Sequence, residues 1–145
     1  MNEKISSSLR DSKITRWTAL ILLALMMFFA YMFVDVLSPL KSMLESSRGW
    51  DSETFGTFSG SEYFLNVFAF FLIFAGIILD KMGIRFTAIL SASIMVIGAS
   101  LKYYAVSDAF IGTGIEASLN SFWTSFPASA KLASLGFMIF GCGVE

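Results

Sequence analysis

The sequence predicts an all-α membrane protein with three complete transmembrane helices and the start of a fourth. Three observations carry that prediction. First, 56% of the 145 residues are hydrophobic and only 14% are charged, where soluble domains carry about a quarter. Second, the apolar residues gather into long runs, and a bilayer core about 30 Å thick takes about 20 of them to cross as a helix. Third, the polar stretch DKMGIR at 80–85 is so short that the runs on either side must end and begin at one surface within a few residues.

The first 16 residues are polar and carry Lys4, Arg10, Lys13 and Arg16. A basic start before an apolar run is one mark of a signal peptide. The run that follows is too long for one, and no small-residue cleavage site ends it. Span one runs from Trp17 to Leu37, with Pro39 marking a kink or the outer end near residue 40. Trp17 stands where an interfacial aromatic belongs. The polar link 41–53 follows, with Asp51 or Ser52 as candidate caps for the next helix and Glu53 in its first turn. Span two covers 54–79, mixed in its outer part and continuously apolar in its inner part. Span three covers 86–106, where Lys102 is expected to snorkel and Tyr103 and Tyr104 suit the interface. Residues 107–131 form a long link in which Phe122, Trp123 and Phe126 could dip into the headgroups. The last run, 132–145, is too short to span and reads as a fourth helix cut off partway, with helices expected beyond residue 145; the alternative is a short re-entrant or peripheral segment.

The positive-inside rule orients these spans. The tail and the 80–85 turn carry basic residues at 4, 10, 13, 16, 81 and 85, against Lys41, Arg48, Lys102 and Lys131 on the other side. The N-terminus and the DKMGIR turn are therefore expected in the cytoplasm, and the chain in a plasma or inner membrane.

At that turn, Gly83 supplies a sharp bend without steric cost. Gly76 leaves a flat patch on span two where another backbone can approach. Asp80 lies at the end of one helix, where a carboxylate is unfavourable, and just before another, where it is favourable. It should seek a helix N-terminus or an arginine. Gly76, Asp80, Lys81, Gly83 and Arg85 fit the pattern G-x-x-x-D-[RK]-x-G-x-[RK]-[RK], with Phe86 departing at the last basic position. This pattern, between the second and third spans, resembles motif A of the major facilitator superfamily. GCGVE at 141–145 is similar to the glycines of that family's fourth span, and YMFVDVLSPL resembles first spans of a branch that includes lysosomal small-peptide transporters.

The resemblance implies an N-terminal part of a twelve-span carrier, whose two six-helix halves are built from inverted three-helix repeats. It implies that substrate binds near the midplane while the halves rock around it. It implies that Asp80 is a latch docking on helix ends of the other half, with Gly76 as its contact surface and Lys81 and Arg85 stabilising the turn. The partners of that latch would lie in helices outside these residues.

Charges inside a membrane are costly, which singles out Asp35 and Glu62. Asp35 stands 18 residues after Trp17 and Glu62 18 residues before Asp80, about 27 Å at the helical rise, so the two carboxylates are expected at one height. Phe28, Tyr31, Asp35 and Ser38 share a stripe at helical spacing, and Ser59, Glu62 and Asn66 another. Two close carboxylates in low dielectric favour holding a proton, the requirement for proton coupling. The opposing reading puts both at a hydrated interface, ionised. Glu145 follows the span-four glycines and is a further cavity candidate. Gly56 and Gly60 form a G-x-x-x-G pair expected in helix packing, and Cys142 reads as an inert small hydrophobe.

The chain has no histidine and one cysteine, which excludes an internal disulfide and argues against zinc. A net charge of −1 gives no sign of a nucleic-acid partner. No nucleophile–base pair, phosphate loop or metal cluster is legible, so neither an enzyme nor a cofactor is expected. The function expected is secondary active transport of a small solute, coupled to protons or another ion. The rival is a small non-transporting membrane subunit or assembly factor.

Overall fold

A computed structural model describes residues 12–122 and 125–144, and every regular element among them is helical. Lys4, Arg10, Trp123 and Glu145 lie outside the described residues. The chain divides into two compact units, residues 1–35 and 36–145.

The described part of the first unit is one helix, α1 (Lys13–Val34). Ser12 caps it, its Oγ accepting from the Thr15 N–H at 3.4 Å. Leucine, alanine and methionine dominate its interior, side chains that lose little rotamer freedom in a helix. The helix starts four residues before the expected Trp17 and stops at Asp35, whose φ of −91° and ψ of 2° end the helical run. Span one is thus shorter at its far end than 17–40, and Ser38 falls off the helical stripe that was to include it. Its large apolar side chains are exposed from Trp17 to Phe33.

The second unit opens with a 3₁₀ turn at Ser38–Leu40 containing Pro39, then α2 (Lys41–Arg48). Gly49 ends α2 at φ 67°, a left-handed conformation that glycine adopts freely. Next come α3 (Ser52–Gly60), a 3₁₀ turn at Ser61–Tyr63 and α4 (Phe64–Phe68). Asp51 caps α3, its carboxylate accepting from the Thr54 N–H at 2.7 Å. The long helix α5 (Phe71–Val106) follows, then a 3₁₀ turn at Asp108–Phe110, α6 (Gly114–Ser121) and α7 (Ala128–Val144).

Two expectations are corrected here. Span two, 54–79, is not one helix. Its outer half breaks at Ser61, whose hydroxyl donates to the Phe58 carbonyl at 2.6 Å and draws the backbone into a 3₁₀ turn. It breaks again at Phe70, which sits at φ 51° and ψ 35°. The second is the extent of the helices beside the expected DKMGIR turn, which reach into it from both sides. Helix continues on both sides of it, and Gly83 alone leaves helical geometry, at φ 79° and ψ 165°. As a result, two helical stretches rather than three, within Lys13–Arg48 and Phe71–Val106, are long and apolar enough to cross a membrane. Only 11% of the most apolar part of each is buried, whereas a core helix of a soluble protein is mostly buried.

The packing centre is α7, the helix expected from the sequence as the start of a fourth span. Ser61 donates to the Ser134 carbonyl at 3.2 Å and Asn66 to the Gly141 carbonyl at 3.3 Å, so residues 58–66 run parallel to α7. Ser91 donates to the Gly143 carbonyl, while Gly98 lies against Phe140 and Gly136 against Lys102, so residues 91–102 run antiparallel to it. The chain therefore reverses between 66 and 91. Gly98 and Gly141 permit this closeness, since a Cβ on Gly98 would come within 2.4 Å of the Phe140 nitrogen and one on Gly141 within 2.3 Å of the Glu62 carbonyl oxygen. Among the described residues, nothing lies within 4 Å of a Cβ on Gly56 or Gly60.

Polar contacts gather at the start of α7. Arg48 pairs with Asp108 at 2.8 Å and donates to the Val106 carbonyl at 2.9 Å. Trp50 is fully buried and donates through Nε1 to Ser129 at 2.9 Å. Lys131 donates to the carbonyls of Leu119 and Phe122. The two links 41–51 and 107–131 thus meet at one end of the unit. Ser91, beside the other end of α7, leads back to Gly83.

Candidate functional site

Two places in the second unit carry chemistry. The first lies where 58–66, α7 and the 84–106 limb of α5 meet. Glu62 is 5% exposed and Lys102 4% exposed, and they are the buried ionisable side chains among the described residues. Glu62 sits in the 3₁₀ turn between α3 and α4, pressed against Gly141. Lys102 was expected to snorkel outward, and the structure turns it inward instead. Its ammonium lies 4.1 Å from the centre of the Phe137 ring and 5.7 Å from those of Phe58 and Phe140. The Phe58 and Phe137 rings stack at 4.8 Å. A cation over aromatic faces gains up to about 2 kcal/mol when removed from water, which is small against the cost of burying a charge. Both side chains are held by neighbours, and neither is free.

Asn66 stands one turn beyond Glu62 and is also 4% exposed. Its amide nitrogen is bonded to Gly141, while its Oδ1, like Ser134 Oγ, is buried without a protein partner among the described residues. Buried oxygens in that state are unusual and ordinarily hold a water or another donor. With Ser61, these groups form a polar seam between 58–66 and α7, inside an otherwise phenylalanine-rich packing.

The second place is the non-helical bend at Gly83, which lies with Phe70 in the stretch where the chain reverses. Gly76, Asp80, Lys81 and Arg85 are all exposed there. Nothing lies within 4 Å of a Cβ on Gly76, so the face it leaves flat is open. Gly83 occupies a region of backbone space that is essentially restricted to glycine, and its carbonyl accepts from Thr87 Oγ1 at 3.1 Å.

The remaining candidates are placed differently. Tyr31 is on α1, 59% exposed, and Asp35 is the exposed residue that ends that helix. Asp35 and Glu62 belong to different units. Glu145 lies outside the described residues. Lys102 is the residue that sequence reading misplaced. Its signal was present in the spacing, since Gly98 and Lys102 are four apart and share a helix face. Among the described residues, no three His, Cys, Asp or Glu side chains group as metal ligands. No family model, curated protein or solved structure matches this chain.

Proposed function

We propose that this chain is the N-terminal part of a secondary active transporter of the major-facilitator type. It moves a small solute across a plasma or inner membrane by alternating access, driven by a proton or another ion. In this reading the hairpin around Gly83 is a clasp at the cytoplasmic face. Asp80 is its latch, Gly76 its contact surface, and Lys81 and Arg85 fix the turn. The rest of the cavity comes from helices outside these residues.

One observation carries the reading. Residues 58–66 and 91–102 run in opposite directions against α7. Between them the motif residues surround Gly83, whose backbone suits glycine alone. The resemblance to motif A requires a reversal at this glycine, and the bend there supports it. Glu62 and Asn66 supply the polar groups near mid-chain at which a coupling ion would act, and Asp35 and Tyr31 the corresponding groups of span one. The exposed apolar surface of the two long helices supports a lipid setting.

The test is Asp80→Asn in the full protein, with solute uptake into vesicles and surface expression measured together. The proposal expects transport to be lost while expression is retained. Undiminished transport removes the latch.

A further inference from the structure

We infer that Lys102 is the countercharge of Glu62, the two forming a buried ion pair that joins 58–66 to the 84–106 limb across α7. This inference stands apart from the transport reading.

Four observations carry it. Both side chains are buried in one unit, and a charge is buried at tolerable cost only when it is paired. Their surroundings overlap. Phe58, one helical turn before Glu62, lies 5.7 Å from the Lys102 ammonium, and Phe140, at the same distance, adjoins Gly141, which presses on Glu62. Other charges in the unit are engaged elsewhere or exposed, with Lys41 over the Phe55 ring at 5.7 Å and Lys81 and Arg85 exposed. Arg48 is paired with Asp108, Lys131 with backbone carbonyls, and Glu116 accepts from the Gly112 N–H, while the remaining described carboxylates are exposed. Finally, three phenylalanine rings surround the ammonium, and their faces favour a cation but cannot neutralise it.

Lys102 is therefore a positioning residue. It holds Glu62 in place beside Asn66, whose Oδ1 has no partner among the described residues. A salt bridge of this kind specifies one arrangement of three segments, because removing either charge strands the other.

The test uses the full protein in lipid nanodiscs. Glu62→Gln and Lys102→Gln singly should each cut the yield of monodisperse protein several-fold, and the double variant Glu62→Gln with Lys102→Gln should recover most of it. A second readout separates pairing from mere packing. A hydrophobic carbodiimide reacts with neutral carboxylic acids, and a buried carboxyl deprived of its countercharge takes up a proton. Lys102→Gln should raise the modification of Glu62 about tenfold, the change that a 1.4 kcal/mol loss of pairing makes in an equilibrium, while Lys102→Arg leaves it unchanged. A double variant no better than the worse single, or modification of Glu62 indifferent to Lys102→Gln, overturns the inference.

Discussion

Gly98 and Gly141 set how closely 91–102 and 58–66 approach α7, and a methyl group on either meets backbone rather than a side chain that could swing aside. Gly98→Ala and Gly141→Ala should each lower stability by about 1–3 kcal/mol, the usual cost of overpacking a tight contact. Gly76→Ala should leave it nearly unchanged, because the space beside it is open. Thermal unfolding followed by tryptophan fluorescence measures this, with Trp50 buried in the same packing as the reporter. Asp51 gives a pH prediction at the same scale. The Thr54 N–H, then the Thr54 hydroxyl, hold its carboxyl below the usual carboxylate range. The cap's contribution is thus present above that range and lost as pH falls through the lowered value. Asp51→Ala should be less stable than the parent at neutral pH, and the two should converge in strong acid.

At the level of elements, Gly83 is, with Phe70, one of the two positive-φ positions in the stretch where the chain reverses. Its φ of 79° and ψ of 165° are essentially closed to other residues. Gly83→Ala should cost about 1–3 kcal/mol of stability and distort the hairpin, whereas Gly112→Ala, at another positive φ but in a link, should distort that link alone. How far the elements were legible follows from such residues. Asp51 was readable as a cap because its type and position before an apolar run define the role. The bend at Gly83 was readable because a glycine among charged residues between apolar runs has few other uses. The breaks at Ser61 and Phe70 were not. A serine bonding back to its own helix leaves no pattern in composition, and nothing local marks Phe70 for a left-handed backbone. Lys102 was misread because hydropathy assigns a lysine near a span's end to the interface, and only the fold reveals which neighbours face it.

For the whole molecule, the burial of Lys102 changes the count of exposed basic residues on which the proposed orientation rests. Lys102 no longer counts as a basic residue of the outer links, and Arg48 is offset by Asp108. The tail and the Gly83 hairpin keep their exposed basic residues at 13, 16, 81 and 85. That imbalance is the form in which the positive-inside rule operates. Helix α7 was legible as a helix but not as the hub of its unit, because the centrality of a segment depends on which others pack against it. Hydropathy singled out Asp35 and Glu62 alike, and the two stand in different surroundings. Glu62 is buried in a polar seam, and Asp35 is an exposed helix end.

The central claim is that the Gly83 hairpin faces the cytoplasm of a lipid-embedded protein, with the 107–122 link on the opposite side. A single thiol tests this, in a Cys142→Ser background, with a membrane-impermeant maleimide applied to intact cells. Met82→Cys, exposed beside Gly83, should label only after the membrane is permeabilised, and Ile111→Cys should label without permeabilisation. Labelling of Met82→Cys in intact cells, or its recovery in a soluble fraction without detergent, would contradict the account.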